Sequence, residues 1–592
     1  MLVNNCVKSL FCKNNEEVKT QCKTKTKRYD YVICGGGTAA CVVAKLLSDN
    51  FKISVLLIEA GANRDDDPAV VIPTESSKLS SSLAALYDWQ QVSIGQLNIN
   101  NVTVLNTNGR VLGGGSSRNA MQYATPSSYL LDQWQSISGS PIWGPVNVFN
   151  NFTQLETYRG DVNGSNYSRG TNGPLPVRQA PITSLVTTAA ITVQTGITTV
   201  WSAANNVPTV SAYKDYADPT KPIGAAQQIQ LNESLNPPNT RQSTSIVFID
   251  PFINKTTGKG INGRKLKVLT ESLVNKVLFD KKKNAIGVNY IKKNGESANV
   301  YAKKEVIVSC GAFSCEVLMR SGIGNYSVPG NFTHPEQERF ALLSSLSIPK
   351  VFDNPNVGQN LRTRVLMGSV SISCPVGQEI IPSSDQNALF TNLSYFPDPR
   401  TLSTPTIRSI QFSLGSSVLV PGNRVAGISI ALIPSKSVGS VVLQSSNPST
   451  ISIFDPNTFG NPDDLNLLTA YYQGTGNLTT ISPLNGPGYN LLLYLISQGW
   501  TLNSPAISTF QTIAALQTFI RTTIRSVFHY SGTNKMAPLS NGGVVDAECR
   551  VHGVKKLRVV DLSVVPLGLD SNAAPVAMVI GWIMGNLIAK HH

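Results

Sequence analysis

The chain has 592 residues, 41% of them hydrophobic, with a formal net charge of +14 and a pI of about 9.3. That apolar fraction excludes a disordered polyelectrolyte, and the length predicts two domains, each with its own core. No apolar run approaches the ~18 residues of a membrane span, and MLVNNCVKSLFCKNN lacks the apolar centre of a secretory signal, so neither a membrane segment nor export is expected.

In chain order, residues 1–28 read as a basic, flexible arm carrying Cys6, Cys12 and Cys22, suited to self-association through cross-links between chains or to remaining as free thiols. The nine cysteines include no CxxC pair and accompany only five histidines, so no metal site is expected. Tyr29 to Gly61 then reads YDYVICGGGTAACVVAKLLSDNFKISVLLIEAG. Tyr31 to Cys34 is a short apolar strand, Gly35-x-Gly37-x-x-Ala40 turns it into a helix through Ala44 to Leu47, and Ile53 to Ile58 is a second strand ending at Glu59. The spacing has a mechanical cause. Gly35 permits the tight turn, Gly37 lets a pyrophosphate approach the backbone, and small Ala40 lets helix and strand pack closely. The helix N-terminus offers unpaired N–H groups and a positive dipole end to the phosphates, and Glu59 is placed to accept hydrogen bonds from a ribose. A glutamate repels a ribose 2'-phosphate, which leaves FAD or NAD.

GRVLGGGSSRNAMQY at 109–123 supplies a second glycine loop able to lie against a cofactor, which a plain nicotinamide dehydrogenase would not need. SPIWGPVNVFNNFTQLE at 140–156, GTNGPLPV at 170–177, LKVLTESLVNKVLFD at 266–280, the Lys281-Lys282-Lys283 turn and GAFSCEVLMRSGIG at 311–324 follow. SIPKVFD and SVVLQSS show strand-like alternation, whereas 191–245 and 375–425 are polar, rich in Ser, Pro and Asn, and resist assignment. The end of the chain carries FHYSGTNKM at 528–536, VVDAECRVHGVKKLRVVDLSVVP at 544–566 and DSNAAP at 570–575.

In this order the segments resemble the glucose-methanol-choline (GMC) FAD oxidoreductases along most of the chain. The resemblance implies an α/β fold: a Rossmann-like FAD-binding domain built from 29–135, 240–345 and 525–592, and an α+β substrate domain, 136–239 and 346–524, on a mostly antiparallel sheet. By position, Gly35, Gly37 and Glu59 would hold the ADP half of FAD and the backbone of Val274 would meet adenine. Gly113, Gly114 and Asn119 would border the flavin, with Gly311 in the second signature and Asp561 near the pyrophosphate and ribityl chain. Some members carry a flavin-linked histidine where this chain has Arg118, so FAD is expected to be held without a covalent bond. His529 and Asn572 match the pair beside the reactive edge of the flavin. Imidazole can take the proton of an alcohol as hydride leaves its carbon, and Asn572 can orient the hydroxyl. His334, in a polar loop, and His552, in a turn, compete less well.

The chain departs from the family pattern at Cys315, where proline is usual, at Arg362-Thr363-Arg364, where Gln-Asp-His is common, and in DSNAAP, one residue contracted, which leaves the match at Asn572 open by one position. The expected function is FAD-dependent oxidation of a small-molecule alcohol. The basic arm, the charge and the departures suit a second function, a GMC-fold assembly protein of the kind giant viruses carry, associating with itself or with nucleic acid. The expected location is accordingly intracellular or a virus particle. A third resemblance, to plant hydroxynitrile lyases, rests on MVIGWIMGNLI and the residues after Phe528.

Overall fold

A computed structural model describes residues 27–591 other than 81–83, 161–167, 328–331, 333, 379–391, 397–407, 416–423, 475–485 and most of 180–239. The basic arm, but for Lys27 and Arg28, lies outside the described residues, as do its three cysteines and much of the polar stretches 191–245 and 375–425.

The strand foreseen at Tyr31 to Cys34 begins earlier and runs Arg28–Cys34, with its last residues fully buried. Parallel neighbours flank it on both sides: Val55–Ile58 on one and the end of Ser297–Val308 on the other. Leu266–Leu269 extends the parallel order beyond Val55–Ile58, and Leu557–Val559 extends it beyond Val308. Runs such as VLLI at 55–58 are apolar at every position because helices and loops cover both faces of a parallel sheet. Two antiparallel strands, Leu273–Phe279 and Ala285–Ile291, continue the sheet, joined by the exposed turn that contains Lys281, Lys282 and Lys283.

A second sheet is antiparallel throughout, in the order Thr501–Ser504, Val365–Ser373, Val425–Leu432, Ile410–Gly415, Asn392–Phe396, Gly224–Ala226, with Arg525–Ser526 also pairing with Val365–Ser373. Helices Pro462–Gln473, Pro487–Ser497 and Ile513–Thr523 pack with it around a separate core that includes Phe412, Ile430, Leu468 and Leu492. The alternating segments SIPKVFD and SVVLQSS do not join this sheet. Phe352–Asp353 pairs with Ile323–Gly324, and Ser440–Val442 pairs with Ile453–Asp455, each as a two-stranded ribbon. Ile348, Val441 and Leu443 are instead buried in the first core, so their alternation reflects one-sided burial without membership of a large sheet.

The C-terminal helix Ala573–Lys590 is, among the described residues, the one helix long and apolar enough to cross a membrane. Here it is a core element. It lies along helix Thr38–Ser48, and Gly581 and Gly585, spaced one turn apart, bring the two backbones together. A Cβ at Gly581 would stand 2.7 Å from the carbonyl oxygen of Ala39, and one at Gly585 would stand 2.7 Å from Leu46 Cδ1. Gly581→Val should therefore lower the urea unfolding midpoint by the equivalent of about 1–3 kcal/mol, the usual cost of overpacking. The loss should be larger than for Gly585→Ala, because backbone cannot move aside as a leucine tip can.

Candidate active site

Strand register brings the site together. Cys34 pairs with both Ile58 and Val308, Ile58 pairs with Leu269, and Val308 pairs with Val559. The residues that follow these strand ends, Gly35, Glu59, Ser309 to Gly311 and Asp561, therefore emerge along one edge, the carboxyl end of the parallel sheet where such folds bind ligands. They line a cavity of about 870 Å³ that continues past Gly114, Gly115, Arg118 and Asn119 to Gln411, Ser413, His529 and Asn572.

Gly35 sits at φ +90°, and a Cβ there would come within 2.5 Å of Ser309 O. Gly37 then precedes helix Thr38–Ser48, which has no side-chain cap and no acid in its first turn, so its leading N–H groups remain for an anion. The two glycine loops touch: Gly113 N–H donates to Gly36 O at 2.7 Å, and Thr38 Oγ1 donates to Gly113 O at 3.1 Å. Gly114 and Gly115 reach the cavity wall, while Gly113, expected to border the flavin, lies one layer behind them. Ala40 is fully buried in the helix and does not line the cavity, consistent with a packing role.

Glu59 is buried, and burial pushes its pKa up against the opposing backbone hydrogen bonds. Its Oε2 accepts from Gly36 N and its Oε1 from Gly61 N, both at 2.7 Å. A carboxylate has about four acceptor positions, so this one keeps lone pairs for the hydroxyls of a ribose. Val274 lines the cavity from strand Leu273–Phe279. The uncapped helix, the apposed glycine loops and the half-used carboxylate all fit the ADP portion of a dinucleotide.

Asp561 ties two turns together. Its Oδ2 accepts from Gly311 N at 3.0 Å and from Ser314 Oγ, and its Oδ1 accepts from Ser563 N at 2.8 Å and Ser563 Oγ at 2.6 Å. Burial lifts its pKa from 3.8 to about 6, with the Ser314, Ser563 and Gly311 hydrogen bonds pulling the other way. The folded value lies above the unfolded one, so this group's stabilisation is complete below about pH 4 and is lost as pH rises through about 6. The cofactor-free protein should lose on the order of 3 kcal/mol from Asp561 across that window. Urea midpoints measured against pH would show the fall, and Asp561→Asn should remove it.

Arg118, at the position of the family's flavin-linked histidine, is tied to buried Asp88 at 2.9 Å and to Leu79 O at 3.0 Å. Asn119 Oδ1 accepts from Arg241 Nη1 at 2.8 Å, and the same guanidinium donates to Ser116 O at 3.1 Å and Val70 O at 2.7 Å. Arg241 is fully buried and fixes the loop that carries Asn119. Nothing in its surroundings in the sequence, NTRQST, marks that role.

His529 and Asn572 both line the cavity although they come from different segments. Asn572 Nδ2 donates to Gln122 Oε1 at 3.3 Å, and its Oδ1 is buried with no hydrogen-bond partner, an acceptor turned to no protein group. His529 Nδ1 lies 3.1 Å from Arg364 Nη1. That guanidinium also donates to Ser571 O at 3.0 Å and to Gln411 Oε1, so it links the loop bearing Asn572 to the antiparallel sheet. Burial, and after it the charge of Arg364, holds the His529 pKa well below the usual histidine range. Among the described residues, Nε2 of His529 has no hydrogen-bond partner. The competing histidines lie elsewhere: His334 caps helix Pro335–Glu338 through Nδ1, and His552 Nε2 is 3.0 Å from Ala537 O.

Known proteins share the sequence pattern and the fold of this chain. The GMC oxidoreductase family models match residues 29–366 and 435–581. A GMC oxidoreductase family protein, Mala s 12 of Malassezia sympodialis, is 28% identical, covering 95% of this chain and 92% of its own. The alcohol dehydrogenase [acceptor] of Pseudomonas putida is 27% identical over 93% of this chain and 94% of its own, and an oxygen-dependent choline dehydrogenase of Burkholderia ambifaria is 27% identical over 94% and 92%. Among solved structures, pyridoxine 4-oxidase from Mesorbium loti superposes with a TM-score of 0.76 at 22% identity, covering 95% of this chain and 100% of that one. Formate oxidase superposes with a TM-score of 0.77 at 20% identity, covering 96% and 99%. The chain therefore belongs to the GMC oxidoreductase family, whose cofactor is FAD.

Proposed function

We propose that the protein oxidises a CH–OH group of a small molecule, with His529 and Asn572 as the residues that meet the substrate hydroxyl. The observation that carries this reading is the shared cavity: one continuous wall runs from the glycine turn and Glu59 to His529 and Asn572. Gly35, Gly37, Glu59 and Val274 would hold the ADP half of FAD, and Gly114, Asn119, Gly311 and Asp561 the remainder. When bound, FAD would supply the two-electron acceptor, at its N5, for a hydride from the substrate carbon. Arg118, engaged by Asp88, offers no nucleophile for a covalent link, so FAD is held non-covalently.

Asn572 Oδ1 accepts the hydroxyl proton in a hydrogen bond and so orients the C–H bond, while His529 contacts the same oxygen from the other side. Buried Gln411 and Ser413 from the antiparallel sheet contribute polar groups where the remainder of the substrate would lie. The relatives named above are dehydrogenases and oxidases, which favours redox chemistry over the assembly and lyase readings.

An anaerobic titration of the purified flavoprotein against aromatic, aliphatic and sugar alcohols is the test. Bleaching of the flavin band by one class would name the substrate family. A yellow protein that no alcohol reduces would refute alcohol oxidation, and a colourless one would refute FAD binding.

A further inference from the structure

The hydrogen bond between Arg364 and His529 decides which ring nitrogen carries the proton. A guanidinium has five N–H donors and no acceptor, so Nδ1, 3.1 Å from Arg364 Nη1, must be the accepting nitrogen. In neutral imidazole the proton then sits on Nε2. The neutral form is the one present, because the site is buried and Arg364 is the charged group acting on the ring. Gln411, Ser526, Tyr530 and Asn572, which line the same cavity, carry no charge at neutral pH.

A substrate hydroxyl in this site accepts from His529 Nε2–H and donates to Asn572 Oδ1. Neither group can remove its proton: Nε2 has no lone pair in this tautomer, and an amide oxygen is not a base at neutral pH. The role of base that the family resemblance implies for His529 requires the opposite tautomer, with Nδ1 as donor, and a guanidinium at that position opposes it.

We propose that Arg364 is a positioning residue that holds His529 with its ring proton on Nε2, so that the site grips the substrate oxygen without deprotonating it and draws on alcohols with acidic hydroxyls. The inference rests on the alcohol oxidation proposed above. Solvent hydroxide takes the O–H proton. The carbon would then lose hydride, for which bound FAD would be the acceptor, as an oxygen lone pair closes the C=O bond. Until that point His529 Nε2–H, backed by the Arg364 charge, stabilises the alkoxide as an oxyanion-hole donor does. Hydroxyls beside electron-withdrawing groups ionise most readily and are the favoured class.

The test uses the holoprotein with ¹⁵N-labelled histidine, the His529 signals being those lost in His529→Ala. The wild type should show Nε2 protonated and Nδ1 unprotonated from about pH 5 to about pH 9, with no titration of this ring. Arg364→Gln should mix the tautomers and bring the titration back toward the usual range. With ring-substituted benzyl alcohols, kcat/KM of the wild type should rise by about tenfold per pH unit across that range and favour electron-poor rings. Arg364→His should instead give a plateau above the pKa of the pair, a change that a purely structural role for Arg364 would not produce. A wild-type ring protonated on Nδ1, or titrating near its ordinary pKa, overturns the proposal. If the NMR shows the Nε2 tautomer but no alcohol bleaches the flavin, alcohol oxidation fails while the tautomer assignment stands.

Discussion

His529→Ala should lower kcat/KM by about 10²- to 10³-fold while leaving FAD bound, the usual loss when one preorganised donor is removed from a developing oxyanion. His529 lines the cavity but belongs to neither glycine loop and does not touch Glu59 or Asp561, so the cofactor contacts survive its truncation. Stopped-flow reduction under anaerobic conditions, with flavin content measured from absorbance, separates the two effects. The fall should appear mainly in kcat, because the interaction strengthens as charge gathers on the oxygen. A variant that keeps wild-type reduction rates would show that the ring does not meet the substrate.

Gly35→Val should yield a protein without flavin, recovered poorly or not at all. The backbone at Gly35 has φ +90°, a region closed to β-branched residues, and the added Cβ would press on Ser309 O at 2.5 Å. Both sides of that contact are backbone at the ends of neighbouring parallel strands, so neither can swing away. Strain of about 1–3 kcal/mol or more would be relieved by moving the turn that faces the pyrophosphate. Flavin absorbance after purification and the thermal midpoint are the readouts. Gly37→Ala is the control. Its Cβ meets nothing nearer than Ser309 O at 3.6 Å, so that variant should fold normally and lose affinity for FAD through the close approach of the cofactor alone.

The stretch from Tyr29 to Gly61 was legible from the sequence because its determinants are local. Apolar runs form buried strands, glycines form the turn, and an acid ends the second strand, all within 33 residues. Its boundaries moved by a few residues, with the first strand starting at Arg28 and the second at Val55, where pairing with Tyr301 and Lys265 rather than propensity sets the ends. SIPKVFD and SVVLQSS do contain strands, at Phe352–Asp353 and Ser440–Val442, but in ribbons of their own, because alternation reports that one face is buried, not which partner buries it. Arg241 was invisible because a buried arginine that organises a loop through backbone carbonyls has no characteristic spacing.

By itself the sequence determined the dinucleotide turn and the family, and it singled out His529 and Asn572, both of which line the cavity. Arg364 was visible only as a departure from a pattern. That its guanidinium reaches His529, 165 positions away in the chain, follows from the pairing of Val365–Ser373 with Arg525–Ser526, which lays the two segments side by side. Which nitrogen of an imidazole holds its proton depends on the group that faces the other nitrogen, and only the tertiary structure brings that group into place.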